Sequence, residues 1–249
     1  MDTKLTSKEY WEEYYKKTQT SKDKISRIAS EYDSFWETLI SENSQIQPKS
    51  ILEIGGYPGR FLAYLGDKYK LVPTCLDYNS DTSKIEECMN VFGVKEYEMI
   101  QTDLFNHQIE KQYDIVFSLG FVEHFSDYNK VLDTHCAYLK PGGTLLIMVP
   151  NKRWLRKWYG LLVDYDNLKA HNLKCMNFKT FNDFAKRNNL KEIKLTYFGE
   201  FQYAVHQKLN FIQEFIKWVV KFIFKRLNPF LRKHPSKLYS SSIIAIYKK

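Results

Sequence analysis

Between residues 50 and 150 the chain alternates short apolar runs with stretches of helical periodicity. SILEI (50–54), KLVPTCLD (70–77), YEMIQ (97–101), DIVFS (114–118) and GTLLIMV (143–149) are short and mostly apolar, the pattern of strands covered on both faces. Helical segments are predicted between them: one beginning near Pro58, one from about Asp81 to Met89, and NKVLDTHCAYLK, where Leu132, Cys136 and Leu139 recur at i, i+4 and i+7. LKPGG (139–143) is expected to stop that last helix with Pro and Gly. Strands alternating with helices predict a doubly wound α/β sheet.

The flanks extend this plan. Residues 7–43 read as two polar and aromatic helices, carrying EYWEEYY and DSFWETL, so that 1–45 forms a helical cap on a domain spanning 46–249. KTFNDFAKRNNL opens with a capping-box pattern, Thr180 followed by Asp183, and leads into a strand at KEIKLTYF (191–198). SSSIIAIYKK supplies the last strand, and a helical insertion over 200–238 separates the two. The expected architecture is a seven-stranded, mostly parallel sheet with a final antiparallel strand and helices on both faces.

Within the insertion, Lys217, Lys221 and Lys225 recur every four positions, while Phe211, Ile212, Phe215, Ile216, Val219, Phe222 and Ile223 populate the other side. Such a basic amphipathic helix (209–227) suits a membrane interface, or else packs over a sheet edge or a dimer contact. Charge sharpens the question. Residues 1–150 hold 16 Lys and Arg against 23 Asp and Glu, a balance of −7, whereas 151–249 hold 21 against 6, a balance of +15. The four cysteines show no C-x-x-C pair, and no apolar run reaches the roughly 18 residues of a membrane span. A cytoplasmic protein is expected, membrane-associated if the basic helix lies on a bilayer.

The first strand runs into a glycine turn, ILEIGGYPGR. A phosphate-gripping loop begun at Gly55 needs Gly and Lys where Arg60 and Phe61 stand, and a dinucleotide fingerprint needs glycines at Tyr57 and Arg60. What remains is E-x-G-x-x-P-G, with Glu53 offering a carboxylate to a ligand that brings positive charge. Here the chain resembles the class I S-adenosylmethionine-dependent methyltransferases, whose first motif is acidic-x-G-x-G-x-G. Glu53, Gly55 and Gly59 match, Gly56 is additional, and Tyr57 replaces the central glycine. Asp77 follows Glu53 by 24 residues, Asp103 lies in IQTDLF, and DIVFSLGFVEHFSD and LKPGGTLLIMVPN resemble the family's fourth- and fifth-strand motifs. The resemblance implies S-adenosylmethionine as cofactor, held by Glu53, Gly55, Gly56, Tyr57, Gly59, Asp77, Tyr78, Asp103, Leu104, Ser118 and Phe121. Gly56 is expected to take the positive φ of the turn, freeing Tyr57 to point at the cofactor or across the pocket mouth.

Methyl transfer from a sulfonium is an in-line displacement that gains most from positioning. For a hydroxyl acceptor a base assists, and His124 in FVEHF and His171 in KAHNLKC are the candidates. His107, His135, His206 and His234 lack such a context. GFVEH also resembles the E-x-x-E-H of quinone-pathway O-methyltransferases, yet Gly120 stands in place of the first carboxylate and no metal is expected. Ser118-Leu119-Gly120-Phe121 is unlike the N-P-P-Y tetrads of nucleic-acid base methylation, which disfavours a nucleic-acid partner. O-methylation of a small-molecule, glycan or lipid-linked acceptor is the leading expectation, with Tyr10, Trp11 and Tyr14 as a lid or as ordinary packing. A non-catalytic cofactor-binding adaptor and an RNA methyltransferase are the alternatives, and oligomeric state is left open.

Overall fold

The computed structural model describes residues 4–16, 20–43 and 49–249. Residues 1–3, 17–19 and 44–45 of the expected cap, and 46–48 at the start of the expected domain, lie outside the described residues. The elements in chain order are α1 (Lys8–Lys16), α2 (Lys22–Ser30), α3 (Asp33–Ser41), β1 (Ser50–Ile54), α4 (Arg60–Tyr69), β2 (Val72–Asp77), α5 (Ser83–Phe92), β3 (Glu98–Gln101), β4 (Tyr113–Leu119), α6 (Tyr128–Ala137), β5 (Leu139–Pro150), α7 (Leu155–Val163), α8 (Tyr165–Lys169), α9 (Phe178–Arg187), β6 (Lys191–Phe198), α10 (Phe211–Leu231) and β7 (Ser242–Lys248). The strands form one sheet in the order β3-β2-β1-β4-β5-β7-β6. Pairing is parallel from β3 to β5, and β7 runs antiparallel to both β5 and β6.

Alternation along the strands builds a core on each side of this Rossmann-like sheet. Leu52 and Ile54 of β1 join Leu145, Ile147 and Val149 of β5 under α6 and α9. Ile51, Leu146, Ile244 and Ile246 face the other way, under α2 to α5. Strand order reverses at the β1–β4 boundary, so the chain segments leaving these two strands diverge and open a crevice at their carboxyl ends. The glycine turn after β1 and Gly120 after β4 both sit there.

Three local expectations are corrected. The N-terminal segment makes three helices. Ser21 caps α2 by accepting from the Lys24 N–H, and the chain turns at Glu31–Tyr32, where the Trp36 indole donates to the Ala29 carbonyl at 3.0 Å. LKPGG does not end α6 as a loop but opens β5: Leu139 pairs with Tyr113, a register shift follows, and Gly142 and Gly143 bond to Lys249. The cap of α9 is Asn177, whose side chain accepts from the Thr180 N–H at 3.1 Å; Thr180 lies inside the helix with its hydroxyl on the Lys174 carbonyl.

Candidate functional site

A cavity opens at the crevice, lined by Gly55, Asp77, Tyr78, Asp103, Leu104, Gly120, Phe121, His124 and Phe125, and roofed by Lys4, Thr6, Trp11 and Tyr15. Asp77 ends β2, and its two oxygens accept the Asn79 and Tyr57 N–H groups at 2.8 and 3.3 Å, which aims the carboxyl at the cavity. Burial raises its pKa against those bonds. Asp103 accepts the Phe105 N–H and pairs with Lys4. Burial opposes ionisation there, but Lys4 and the amide outweigh it and hold the carboxyl below its ordinary range. Gly55 has φ +71°, and a Cβ there would meet the Phe121 ring at 2.1 Å, so only glycine lets the chain pass so close to that ring.

Glu53, Gly56, Tyr57, Gly59 and Ser118 do not line this cavity. The expected exchange of duties between Gly56 and Tyr57 is corrected. The positive φ values belong to Gly55 and Gly59, and Gly56 is a packing glycine whose Cβ would fall 2.9 Å from Glu53 and 3.0 Å from the Cys75 sulfur. Tyr57 is buried in the core on the α4–α5 side, its hydroxyl donating to Asp81 and its ring 5.2 Å from Tyr15, which does reach the cavity. Glu53 is buried beneath the turn, burial lifting its pKa well above the ordinary range, with Oε2 lacking a hydrogen-bond partner. The Ser118 hydroxyl is likewise buried and unpartnered.

A second cavity, about 340 Å³, adjoins the first. Its walls are Tyr10, Trp11, Tyr14, His124, Lys152, Arg156, Asn167, His171, Gln202, Ala204 and His206, so Trp11 and His124 belong to both spaces. The two histidine rings lie 4.6 Å apart between centroids. His124 Nδ1 donates to the Ala170 carbonyl at 2.9 Å and His171 Nδ1 to the Asn167 carbonyl at 2.6 Å. Burial pushes both rings far below the usual imidazole pKa, His124 to about 4 and His171 to about 2, the latter also repelled by Lys152 and His124. Both are therefore neutral at pH 7. A carbonyl only accepts, so each Nδ1 carries the proton and each Nε2 is left as an acceptor, that of His124 lying 3.6 Å from Glu123 Oε1.

Glu123, His124 and His171 bring ligand atoms within 4.8 Å of one another, a grouping able to hold a metal ion. Burial raises Glu123 to about 8, and the Lys152 charge acts on all three groups. His206, which the sequence offered no reason to single out, lines the second cavity and donates its backbone N–H to Asp164. Lys152 and Arg156 were also missed; their i, i+4 spacing just after the fifth-strand motif was the available signal. Of the aromatics expected as a lid, Tyr10, Trp11 and Tyr14 all border the second cavity.

Residues 28–195 match the family model described as a methyltransferase domain, and the chain belongs to that family as a class I S-adenosylmethionine-dependent methyltransferase. Its fold is shared with a SAM-dependent methyltransferase from Archaeoglobus fulgidus (17% identity, TM-score 0.57, covering 96% of this chain and 100% of that one). A SAM-dependent methyltransferase from Thiobacillus denitrificans in complex with S-adenosyl-L-homocysteine matches at 14% identity and TM-score 0.52, with 85% and 89% of the chains covered. Coclaurine N-methyltransferase bound to N-methylheliamine and SAH matches at 13% and 0.59, with 87% and 72% covered. No curated protein matches the chain significantly. The cofactor is S-adenosylmethionine, and the chemistry of the first cavity fits it, although the space under the roof, about 60 Å³, must widen to admit it: carboxylates of Asp77 and Asp103 face the space, the orphaned Glu53 Oε2 lies beneath the turn, and bare backbone at Gly55 lets a ligand approach closely.

Proposed function

We propose that this methyltransferase acts on a hydroxyl oxygen of an acceptor held in the second cavity and drawn from a membrane surface. The observation that carries the reading is that His124 and Trp11 form a wall common to both cavities. Asp77 would receive the ribose hydroxyls, Asp103 the adenine amino group, Gly55 and the Glu53 carboxyl the amino acid portion, and Phe121 and Leu104 the adenine faces. When bound, the cofactor supplies an electrophilic methyl on a sulfonium. The chain contributes position and a proton acceptor: the Nε2 of His124 or His171 takes the acceptor's hydroxyl proton as the oxygen attacks. Tyr10, Trp11 and Tyr14 close the acceptor side against water.

Membrane contact is supported by the outer face of α7 and α10. A narrow stripe of α10, Ile216, Val220, Phe224 and Leu231, packs with Tyr159, Val163 and Phe201. That leaves Phe211 (88% exposed), Phe215, Trp218, Phe222 and Phe230 uncovered, continued on α7 by Trp158 (69% exposed) and Leu162. Packing thus accounts for only part of the apolar face. Lys157, Lys221, Lys225 and Arg226 border it, matching an anionic lipid surface. Among the described residues no helix is long and apolar enough to cross a membrane.

The test is to supply cofactor carrying an isotopically heavy methyl group together with a membrane-containing extract, with Asp77→Ala as the inactive control. Enzyme-dependent label in the organic phase supports a lipid-linked acceptor. Label confined to the aqueous phase overturns the membrane element and leaves a soluble acceptor.

A further inference from the structure

The second cavity has an excess of cationic side chains with no partners of their own. Lys152 follows β5 directly and is 8% exposed. Its backbone is clamped, since Asn151 donates to the Ser241, Lys237 and Ser240 carbonyls and the Lys152 N–H meets the Met176 sulfur. Arg156 stands one helical turn later in α7, its guanidinium 5.9 Å from the Phe201 ring. Among the described residues neither Lys152 Nζ nor the Arg156 guanidinium has a hydrogen bond or ion pair to a protein group. Lys152 is buried and Arg156 partly so; holding such charges without a protein partner is unfavourable, and a folded protein tolerates it where a ligand supplies the counter-charge.

The carboxyl groups nearby do not supply it. Asp164, whose charge reaches Arg156, lies beyond ion-pairing distance and is committed to His206 and Asn167. Glu123, whose charge reaches Lys152, likewise lies beyond ion-pairing distance of it. The Asn167 amide, the Gln202 amide and the imidazoles of His171 and His206 complete a wall of polar groups around the two cations. We infer that the acceptor carries a doubly charged phosphate or diphosphate group, which Lys152 and Arg156 bind while its hydroxyl is presented at the His124 wall. This rests on the reading of the second cavity as the acceptor site. A phosphoryl group matches the arrangement because its oxygens take charge-assisted bonds from both cations at once.

The phosphate could arrive on a soluble metabolite or on a polyprenyl lipid, and the experiment separates the two. Thermal unfolding of the full chain is followed without cofactor, with and without inorganic pyrophosphate, for the parent, Lys152→Met, Arg156→Met and the double variant. Pyrophosphate should raise the parent's Tm, with affinity weakened on the order of tenfold in each single variant and a hundredfold in the double. Without anion, Lys152→Met should unfold no lower than the parent, because it loses an unpaired buried charge. A second arm sediments the protein with phosphatidylcholine vesicles carrying farnesyl diphosphate. Capture that the double variant loses assigns the lipid source, and a pyrophosphate response without capture assigns the soluble one. An absent Tm rise in the parent, an equal rise in the double variant, or a double variant that cannot fold overturns the proposal. Binding of S-adenosylhomocysteine is measured separately, so failure of the methyltransferase assignment is distinguishable from failure of the anion site.

Discussion

Two cavities meet at His124 and differ in the sign of their walls. The first is bordered by Asp77 and Asp103 over the buried Glu53, the second by Lys152, Arg156 and three histidines. The difference follows the chain: acidic side chains come from the ends of β2 and β3, basic ones from the stretch after β5, where the balance of charge turns positive. A cationic methyl donor and an anionic acceptor would each be drawn to its own side and kept from the other's, so the wall between them separates charges as well as spaces.

The largest effect that would sharpen this contrast lies at the wall. His124→Ala should lower kcat on the order of 10² to 10⁴-fold if its Nε2 takes the proton, and His171→Ala should then cost far less. A single-turnover assay of both variants decides between them, and two unimpaired variants would remove base catalysis from the mechanism. Next, Asp77→Ala should weaken S-adenosylhomocysteine binding on the order of 100-fold, from the loss of hydrogen bonds to a carboxylate. Calorimetry should show its pyrophosphate affinity unchanged, and a fall in both affinities would mean that the two sites are not independent. On the outer surface, Trp218→Ser with Phe222→Ser should reduce binding to anionic vesicles about tenfold or more, given about 1.5–3 kcal/mol for a buried large apolar side chain, with turnover of a soluble acceptor unaltered. Undiminished vesicle binding would return α10 to a packing role.

The smallest effect concerns pH. His135 is wholly buried, donates Nδ1 to the Val131 carbonyl, and is pushed by burial to about 4. Between its ordinary value near 6.5 and that folded value the unfolded chain holds the extra proton, so this histidine's contribution to stability is lost as pH falls through that window. Glu123 pulls the opposite way, so the observable is a difference. In urea unfolding, His135→Asn should gain on the parent as pH drops from 6.5 towards 4; a pH-independent gap would mean the ring is not held neutral.

Much of the fold was legible because buried parallel strands announce themselves as apolar runs between turns. β1 appears at its observed ends, and β6 likewise. Errors arose where tertiary partners override local signals. LKPGG carries the residues of a helix stop, yet Tyr113 and Lys249 recruit it into the sheet. Gly55, Asp77, Tyr78, Asp103, Leu104 and Phe121 were read from motifs, and all border the first cavity. Tyr57 was misread because its neighbours Asp81 and Tyr15 come from other elements and draw it into the core. The second cavity was largely invisible, since Lys152, Asn167, Gln202 and His206 come from separate segments that only folding brings together.

The contact between Lys4 and Asp103 gives the acidic cavity the character of an ion exchanger. Lys4 also lies over the Tyr78 ring, so a lysine already neutralises part of the space the cofactor would enter. If Lys4 leaves Asp103 as S-adenosylmethionine arrives, one net positive charge replaces another and the site's total charge barely changes. Cofactor affinity should then be nearly insensitive to ionic strength, whereas anion binding beside Lys152 and Arg156 should weaken steadily as salt is added.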